Sequence, residues 1–260
     1  MLPPAEQSET SAALFSSVKV NFIDYSAAVE LINNSILLKK KFIINYVNAY
    51  SVVLADKDEN LKTALNSSDL VHPDGIGIWL AAKILFKIRP LHRFNWTDHG
   101  DDFLKICGEN GWRIFFLGST RDVLIKASAK IKRKFPQLQL VGTLNGYEDL
   151  NSETLIEDIN GKNPDILYVG LGTPKQENWI YNNAEKINCR VIQSVGDLFN
   201  LFAGEKVRGP EFFRKIGFEW FFRLLSNPKK YFKRYLAGIP RFIIIVVREY
   251  FLRKSNESIL

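Results

Sequence analysis

Asp165-Ile-Leu-Tyr-Val-Gly-Leu-Gly-Thr-Pro-Lys-Gln-Glu177 carries an apolar run into two glycines, then into a proline with polar residues behind it. A short run with β-branched and aromatic members, closed by a glycine turn, reads as a buried strand. Pro174 stands where a helix takes its first residue, since a proline there forfeits no hydrogen bond. A helix is expected over 175–186, so the stretch is one strand–turn–helix unit. Similar units lie on both sides of it. Trp112-Arg-Ile-Phe-Phe-Leu117 ends in Gly118-Ser-Thr120, with a helix expected over 121–134. A strand over 138–141 precedes a helix over 152–160, and Arg190–Val195 ends in Gly196-Asp197. Strands alternating with helices build a parallel sheet covered on both faces. The expected fold is α/β: a Rossmann-like, mostly parallel sheet covered by helices, with a basic helical C-terminal appendage. Right-handed crossovers leave the strand C-terminal ends on one edge. Gly118, Gly172 and Gly196 would then face one crevice, where such sheets bind ligands.

Upstream, Val18–Ile23 reads as a strand. Tyr25–Leu38 reads as a helix, with Ala28, Leu31, Ile32 and Ile36 at helical spacing. Phe42–Val47 is a further strand with Asn48 at its end, and a second helix is expected over Ser51–Leu65. Val71-His-Pro-Asp-Gly-Ile-Gly-Ile78 then sets one carboxylate, Asp74, between a proline and two glycines. Pro73 fixes its own φ, and the glycines open backbone shapes closed to other residues. An acid on such a turn is presented where a substrate can reach it. By itself the motif serves equally as a plain turn or a helix cap. A helix is expected over 76–86. The expected division is a flexible N-terminus over 1–17, an α/β core over 18–205 and a basic, aromatic, membrane-associating helical appendage over 206–260.

The chain has 260 residues, 46% hydrophobic and 24% charged, as a well-cored domain requires. Its net charge of +7 is unevenly placed: residues 206–260 hold thirteen Lys and Arg against four Asp and Glu, leaving −2 for the rest. Such a split marks a surface for an anionic partner. The same tail interleaves twelve Phe, Trp and Tyr with its cations, which suits a bilayer interface. Phe242-Ile-Ile-Ile-Val-Val247 is far shorter than the about 20 apolar residues that a span needs. Met1–Ser17 lacks a basic start and a continuous apolar core, so no secretory signal is expected. Cys107 and Cys189 match no metal spacing, and with three histidines no structural zinc is expected.

Gly118-Ser119-Thr120 before a helix is a possible phosphate turn, but no Gly-Xaa-Gly-Xaa-Xaa-Gly or Walker lysine accompanies it. In Gly172-Thr-Pro-Lys-Gln-Glu177, Lys175 is placed to contact a phosphate and Gln176 a sugar hydroxyl or uracil edge. Glu177 would cap an N-terminal amide, and Thr173 belongs to the same loop. His72 and His92 read more readily as local hydrogen-bonding residues than as bases. Arg93 and Asp98 read equally as a surface ion pair.

Taken together, these pieces resemble the bacterial glycosyltransferase family of teichoic-acid, enterobacterial-common-antigen and capsule enzymes, the WecB/TagA/CpsF family. The resemblance runs from about Asn21 to Lys230. It rests on Asn48 with Ala55, Pro73-Asp-Gly-Ile-Gly77, Arg93 with Asp98, Phe116-Leu-Gly118, Gly170–Ile180 and Ala203-Gly-Glu-Lys-Val-Arg-Gly-Pro210. It implies inverting transfer of a sugar from a UDP-sugar to an undecaprenyl-diphosphate-linked saccharide, peripheral on the inner face of the cell membrane, with no metal cofactor. It also implies Asp74 as catalytic base, with Asn48 and Arg93 in the active pocket. Gln176 matches a polar pocket residue, and the Gly172 loop belongs to the nucleotide-sugar site. Tyr46 stands where the family commonly has Thr, and Trp96 where it usually has Gly. Gly196-Asp197-Leu-Phe-Asn200 departs from the family's small residue followed by Xaa-Phe-Asp.

An inverting transfer needs one base to take the acceptor's proton. The departing diphosphate needs positive charge, expected here from Arg208, Arg223 and Arg234. Two alternatives stand beside this reading: a non-catalytic assembly partner of the same fold, and a nucleic-acid-binding module using the basic tail. Nucleic acid is not the expected partner, because no recognition motif accompanies the tail.

Overall fold

The computed structural model describes residues 11–88, 95–147, 150, 152–206, 209, 219–226 and 228–257. Strands β1 (Ser11–Phe15) and β2 (Val18–Phe22) form an antiparallel hairpin. Helix α1 (Tyr25–Leu37) follows, capped by Asp24, whose Oδ1 accepts the Ala27 N–H at 2.8 Å. Then come β3 (Phe42–Val47), α2 (Ala49–Ala55), α3 (Glu59–Asn66), β4 (Leu70–Pro73), α4 (Ile76–Phe86) and α5 (Trp96–Glu109). The second half runs β5 (Arg113–Gly118), α6 (Arg121–Lys134), β6 (Gln139–Leu144), α7 (Glu153–Gly161), β7 (Ile166–Gly170), α8 (Lys175–Asn183), β8 (Val191–Ser194) and α9 (Leu198–Phe202). The described part of the tail holds α10 (Glu219–Ser226), α11 (Pro228–Phe232), a π-helical turn over Lys233–Ala237, and α12 (Gly238–Glu257).

Strands β3 to β8 form one parallel sheet in the order β4-β3-β8-β7-β5-β6. Alternate residues of each strand feed opposite cores. Ile114, Phe116, Ile166, Tyr168 and Val191 meet α1, α5, α6 and α9, while Phe115, Leu117, Leu167, Val169 and Ile192 meet α7 and α8. A third cluster joins the β1–β2 hairpin, α2, α3, α4 and two residues of α12, Phe242 and Ile245. From β5 the chain crosses outward to β6; from β7 it crosses the other way, to β8. The topological switch point, where open α/β sheets take their ligands, therefore lies between the ends of β5 and β7.

Three expectations are corrected. Residues 11–15 form a strand where a flexible segment was expected: Phe15 is 1% exposed and packs edge-on against Phe86 at 4.9 Å, so alternating Ala13 and Phe15 give β1 a buried side. The single helix expected over 51–65 is two, because Asp58 caps a new one by accepting the Asn60 and Leu61 N–H groups, both at 3.1 Å. The strand β4, the helix α5 and the short α9 were not anticipated. The tail's last helix is fastened to the body. Arg248 donates to Asp56 Oδ1 at 2.8 Å and to Ser16 Oγ at 2.9 Å, and Arg253 donates to the Leu14 carbonyl at 3.1 Å.

Candidate active site

A cleft of about 410 Å³ runs along the C-terminal edge of the sheet. Its walls come from the ends of all six parallel strands, with Asp74 after β4, Tyr46 and Asn48 at β3, and Ser194, Gly196 and Asp197 at β8. Gly172 and Thr173 follow β7, Ser119 follows β5, and Gly146 and Tyr147 follow β6. Tyr231 and Arg234 of the tail also line it.

Asp74 is held by its backbone. Its N–H donates to the Val47 carbonyl at 2.7 Å, extending the β3–β4 ladder by one residue and leaving the partly exposed carboxylate at the cleft. Gly75, at φ +84°, then turns the chain into α4, a shape that glycine adopts without strain. Asn48 caps α2: its Oδ1 accepts from Tyr50 N (3.0 Å) and Ser51 N (3.1 Å). Only its amide nitrogen remains for a ligand. His72 is 1% exposed beside Asp74. Burial pushes its pKa down to about 4, against the pull of the Asp74 charge, so it is neutral at physiological pH. His72 has ring neighbours on both sides, Tyr46 and Trp96, each with centroids 6.1 Å away. Two of the three departures from the family pattern, Tyr46 and Trp96, therefore line the same end of the cleft.

The loop after β7 carries the cis peptide Thr173–Pro174 and leads into α8. Gln176 and Glu177 are both wholly buried, so Gln176 is turned to protein groups and not to the expected sugar or base. Gln176 Oε1 accepts the Gly196 N–H at 3.1 Å, while its Nε2 donates to Glu177 Oε1 at 2.9 Å and to the Tyr46 hydroxyl at 3.4 Å. Thr173 donates to the same Glu177 oxygen at 2.8 Å. Burial raises the Glu177 pKa, and the Gln176 and Thr173 bonds oppose that shift.

Gly118 does not line the cleft. It pairs with Gly170, and a side chain there would run into the Gly170 carbonyl. Ser119 N–H also donates to that carbonyl, at 3.2 Å, so this amide is not available to a phosphate. Asp98 is also elsewhere. It completes a capping box at the start of α5, accepting from Asn95 Nδ2 at 2.6 Å and donating its own N–H to Asn95 Oδ1 at 2.8 Å. Arg93, Arg208 and the Arg223 side chain lie outside the described residues.

Three cations reach the cleft: Lys175, at the start of α8 where a phosphate contact was expected, Arg234 and Lys206. Arg234 stands over the Tyr50 ring, its guanidinium carbon 5.8 Å from the centroid. Lys206, which sequence reasoning missed, keeps 8% of its side chain exposed and lies 3.9 Å from Asp197 Oδ2. Asp197 in turn accepts from Asn200 Nδ2 at 2.6 Å. The signal for Lys206 was the Asp197-Xaa-Xaa-Asn200 turn that brings it back over the sheet edge. Among the described residues, no group of three His, Cys, Asp or Glu side chains is placed to hold a metal ion.

Residues 13–256 match the model of the glycosyl transferase WecG/TagA/CpsF family. The chain is 32% identical over 230 residues to a Bacillus subtilis protein named N-acetylglucosaminyldiphosphoundecaprenol N-acetyl-beta-D-mannosaminyltransferase, covering 88% of this chain and 86% of that one. It is 31% identical over 207 residues to a Staphylococcus aureus protein of the same name, covering 79% and 76% respectively.

Proposed function

This chain belongs to the glycosyl transferase WecG/TagA/CpsF family, and from that premise we propose that it moves an N-acetylmannosamine-like sugar from a UDP-sugar to an undecaprenyl-diphosphate-linked saccharide. The observation that carries this reading is the placing of Asp74. Asp74 stands at one end of the cleft, the switch point lies towards the other, the second carboxylate, Asp197, is engaged by Lys206 and Asn200, and Lys175, Lys206 and Arg234 also line it. Asp74 takes the proton from the acceptor hydroxyl as that oxygen attacks the anomeric carbon. The bond to the diphosphate breaks in the same displacement, which inverts the centre. Lys206 and Arg234 meet the negative charge that develops on the leaving diphosphate. Asp197 keeps Lys206 extended over the cleft. The acceptor read from the relatives' names is a diphosphate-linked N-acetylglucosamine. In the test, vesicles carrying that lipid are incubated with the protein and UDP-N-acetylmannosamine. One sugar should be added per lipid and UDP released. No transfer from that donor or from any other UDP-hexose would sink the proposal.

A lipid-linked acceptor would be met at a membrane surface. No helix among the described residues is long and apolar enough to cross one. Helix α12 instead turns Phe242 and Ile245 inward and leaves Ile243, Ile244, Val247 and Phe251 exposed. Arg241 is also exposed, and an apolar stripe beside cations fits the headgroup layer. Changing both Ile244 and Phe251 to Asp should lower co-sedimentation with phosphatidylglycerol vesicles by about tenfold or more, since each buried side chain is worth about 1.5–3 kcal/mol. Undiminished co-sedimentation would remove α12 as the contact.

A further inference from the structure

The hydrogen bonds of Gln176 leave a donor at the cleft. Its amide gives both Nε2 contacts to Glu177 and Tyr46 and takes the Gly196 N–H on Oε1, so no group on this side chain remains for a ligand. The Tyr46 hydroxyl accepts from Gln176 and has no second partner among the described residues. A hydroxyl that accepts one hydrogen bond still has its own proton to give. The ring is held tightly, because its hydroxyl packs against the face of Gly196 where a side chain would collide with it. Burial, with the nearby Glu177 and Asp74 charges, pushes the Tyr46 pKa up to about 12, so the donor persists across the physiological range.

The position of Tyr46 in the sheet says which part of a substrate it meets. The nucleotide end of the cleft is the switch point at β5 and β7, and the base stands after β4. The transferred sugar must lie between them, with its anomeric carbon reached from the Asp74 side. Between β4 and β7 stand only β3 and β8, the strands that carry Tyr46 and lead into Gly196. We propose that Tyr46 is a specificity-determining residue, its hydroxyl held by Gln176 and donating a hydrogen bond to an acceptor oxygen of the donor's sugar. Gln176 is then a positioning residue that touches no ligand. The proposal rests on the UDP-sugar reading above.

Calorimetry of the full chain with UDP and with UDP-N-acetylmannosamine tests it. Tyr46→Phe should bind UDP as the parent does and UDP-N-acetylmannosamine about tenfold more weakly, the effect of one neutral hydrogen bond. Gln176→Ala should show the same selective loss, and the double variant should be no weaker than either single one, because both remove one contact. Should Gln176→Ala fail to fold, as thermal melting will show, Tyr46→Phe decides alone. The proposal falls if Tyr46→Phe weakens UDP by the same factor, leaves both ligands unchanged, or raises only the KM for the lipid acceptor. Failure of the parent to bind any UDP-sugar would overturn the donor reading and this proposal together. Parent binding that Tyr46→Phe does not alter would overturn the proposal only.

Discussion

Replacing Asp74 with Asn should lower sugar transfer by about 10²–10⁴-fold, the usual loss when a positioned general base is removed. Asn keeps the size and shape of the side chain. The Asp74 N–H bond to the Val47 carbonyl, which fixes the turn, belongs to the backbone and survives. The loss should therefore appear in kcat, with melting temperature and donor affinity near those of the parent, because the interaction matters only as the proton moves. His72 cannot take over. It is buried, and its environment holds it neutral at a pKa of about 4, far too weak a base to compete at neutral pH. Transfer by Asp74→Asn at the parent rate would remove the residue from the mechanism, and loss of folding would show that the turn needs the charge.

Gly118→Ala should destabilise the protein by roughly 3 kcal/mol or more, from a strained backbone together with an overpacked contact. Gly118 has φ +132°, which L side chains rarely adopt, and its added methyl would meet the Gly170 carbonyl. Relief by movement is blocked in turn. Gly170 is itself crowded, with the Phe199 ring 2.7 Å and the Gly196 carbonyl 2.8 Å from where its own Cβ would stand. Three strand ends thus meet through three glycines. For a chain of this length, about 3 kcal/mol corresponds to a fall of roughly 6–12 °C in Tm. A Tm within two degrees of the parent's would show that β5 and β7 can part more easily than the packing implies.

Strands β5, β7 and β8 were legible because they are short, almost wholly buried and closed by glycines, a signal carried within ten residues. The crevice followed from them, since handed crossovers place Gly118, Gly172 and Gly196 on one edge; the latter two line the cleft and Gly118 does not. What sequence could not show was which side chains turn inward. Gln176 and Glu177 follow a proline at a helix start, where polar residues are ordinarily solvated, yet tertiary packing buries both. Asp98 and Asn48 were legible as polar residues near strand or helix ends, but their capping bonds depend on local backbone geometry. Lys206 was hidden inside a count of basic residues. Only the return of the chain after α9 distinguishes it from the cations around it.

The pairing of β3 with β8 has a consequence for how the molecule comes into being. Phe42 lies opposite Val191, so these two neighbouring strands are separated by about 150 residues of chain, and closing so long a loop is entropically costly and slow. A growing polypeptide can complete the β1–β2 hairpin and the β5–β6 pair early, from neighbouring residues. The β3–β8 join waits until Ser194 has been made, and α12, which covers α2 and α4, comes later still. The Asp74 side of the cleft, on β3 and β4, is therefore joined to the β7 side only late, shortly before α12 closes over α2 and α4.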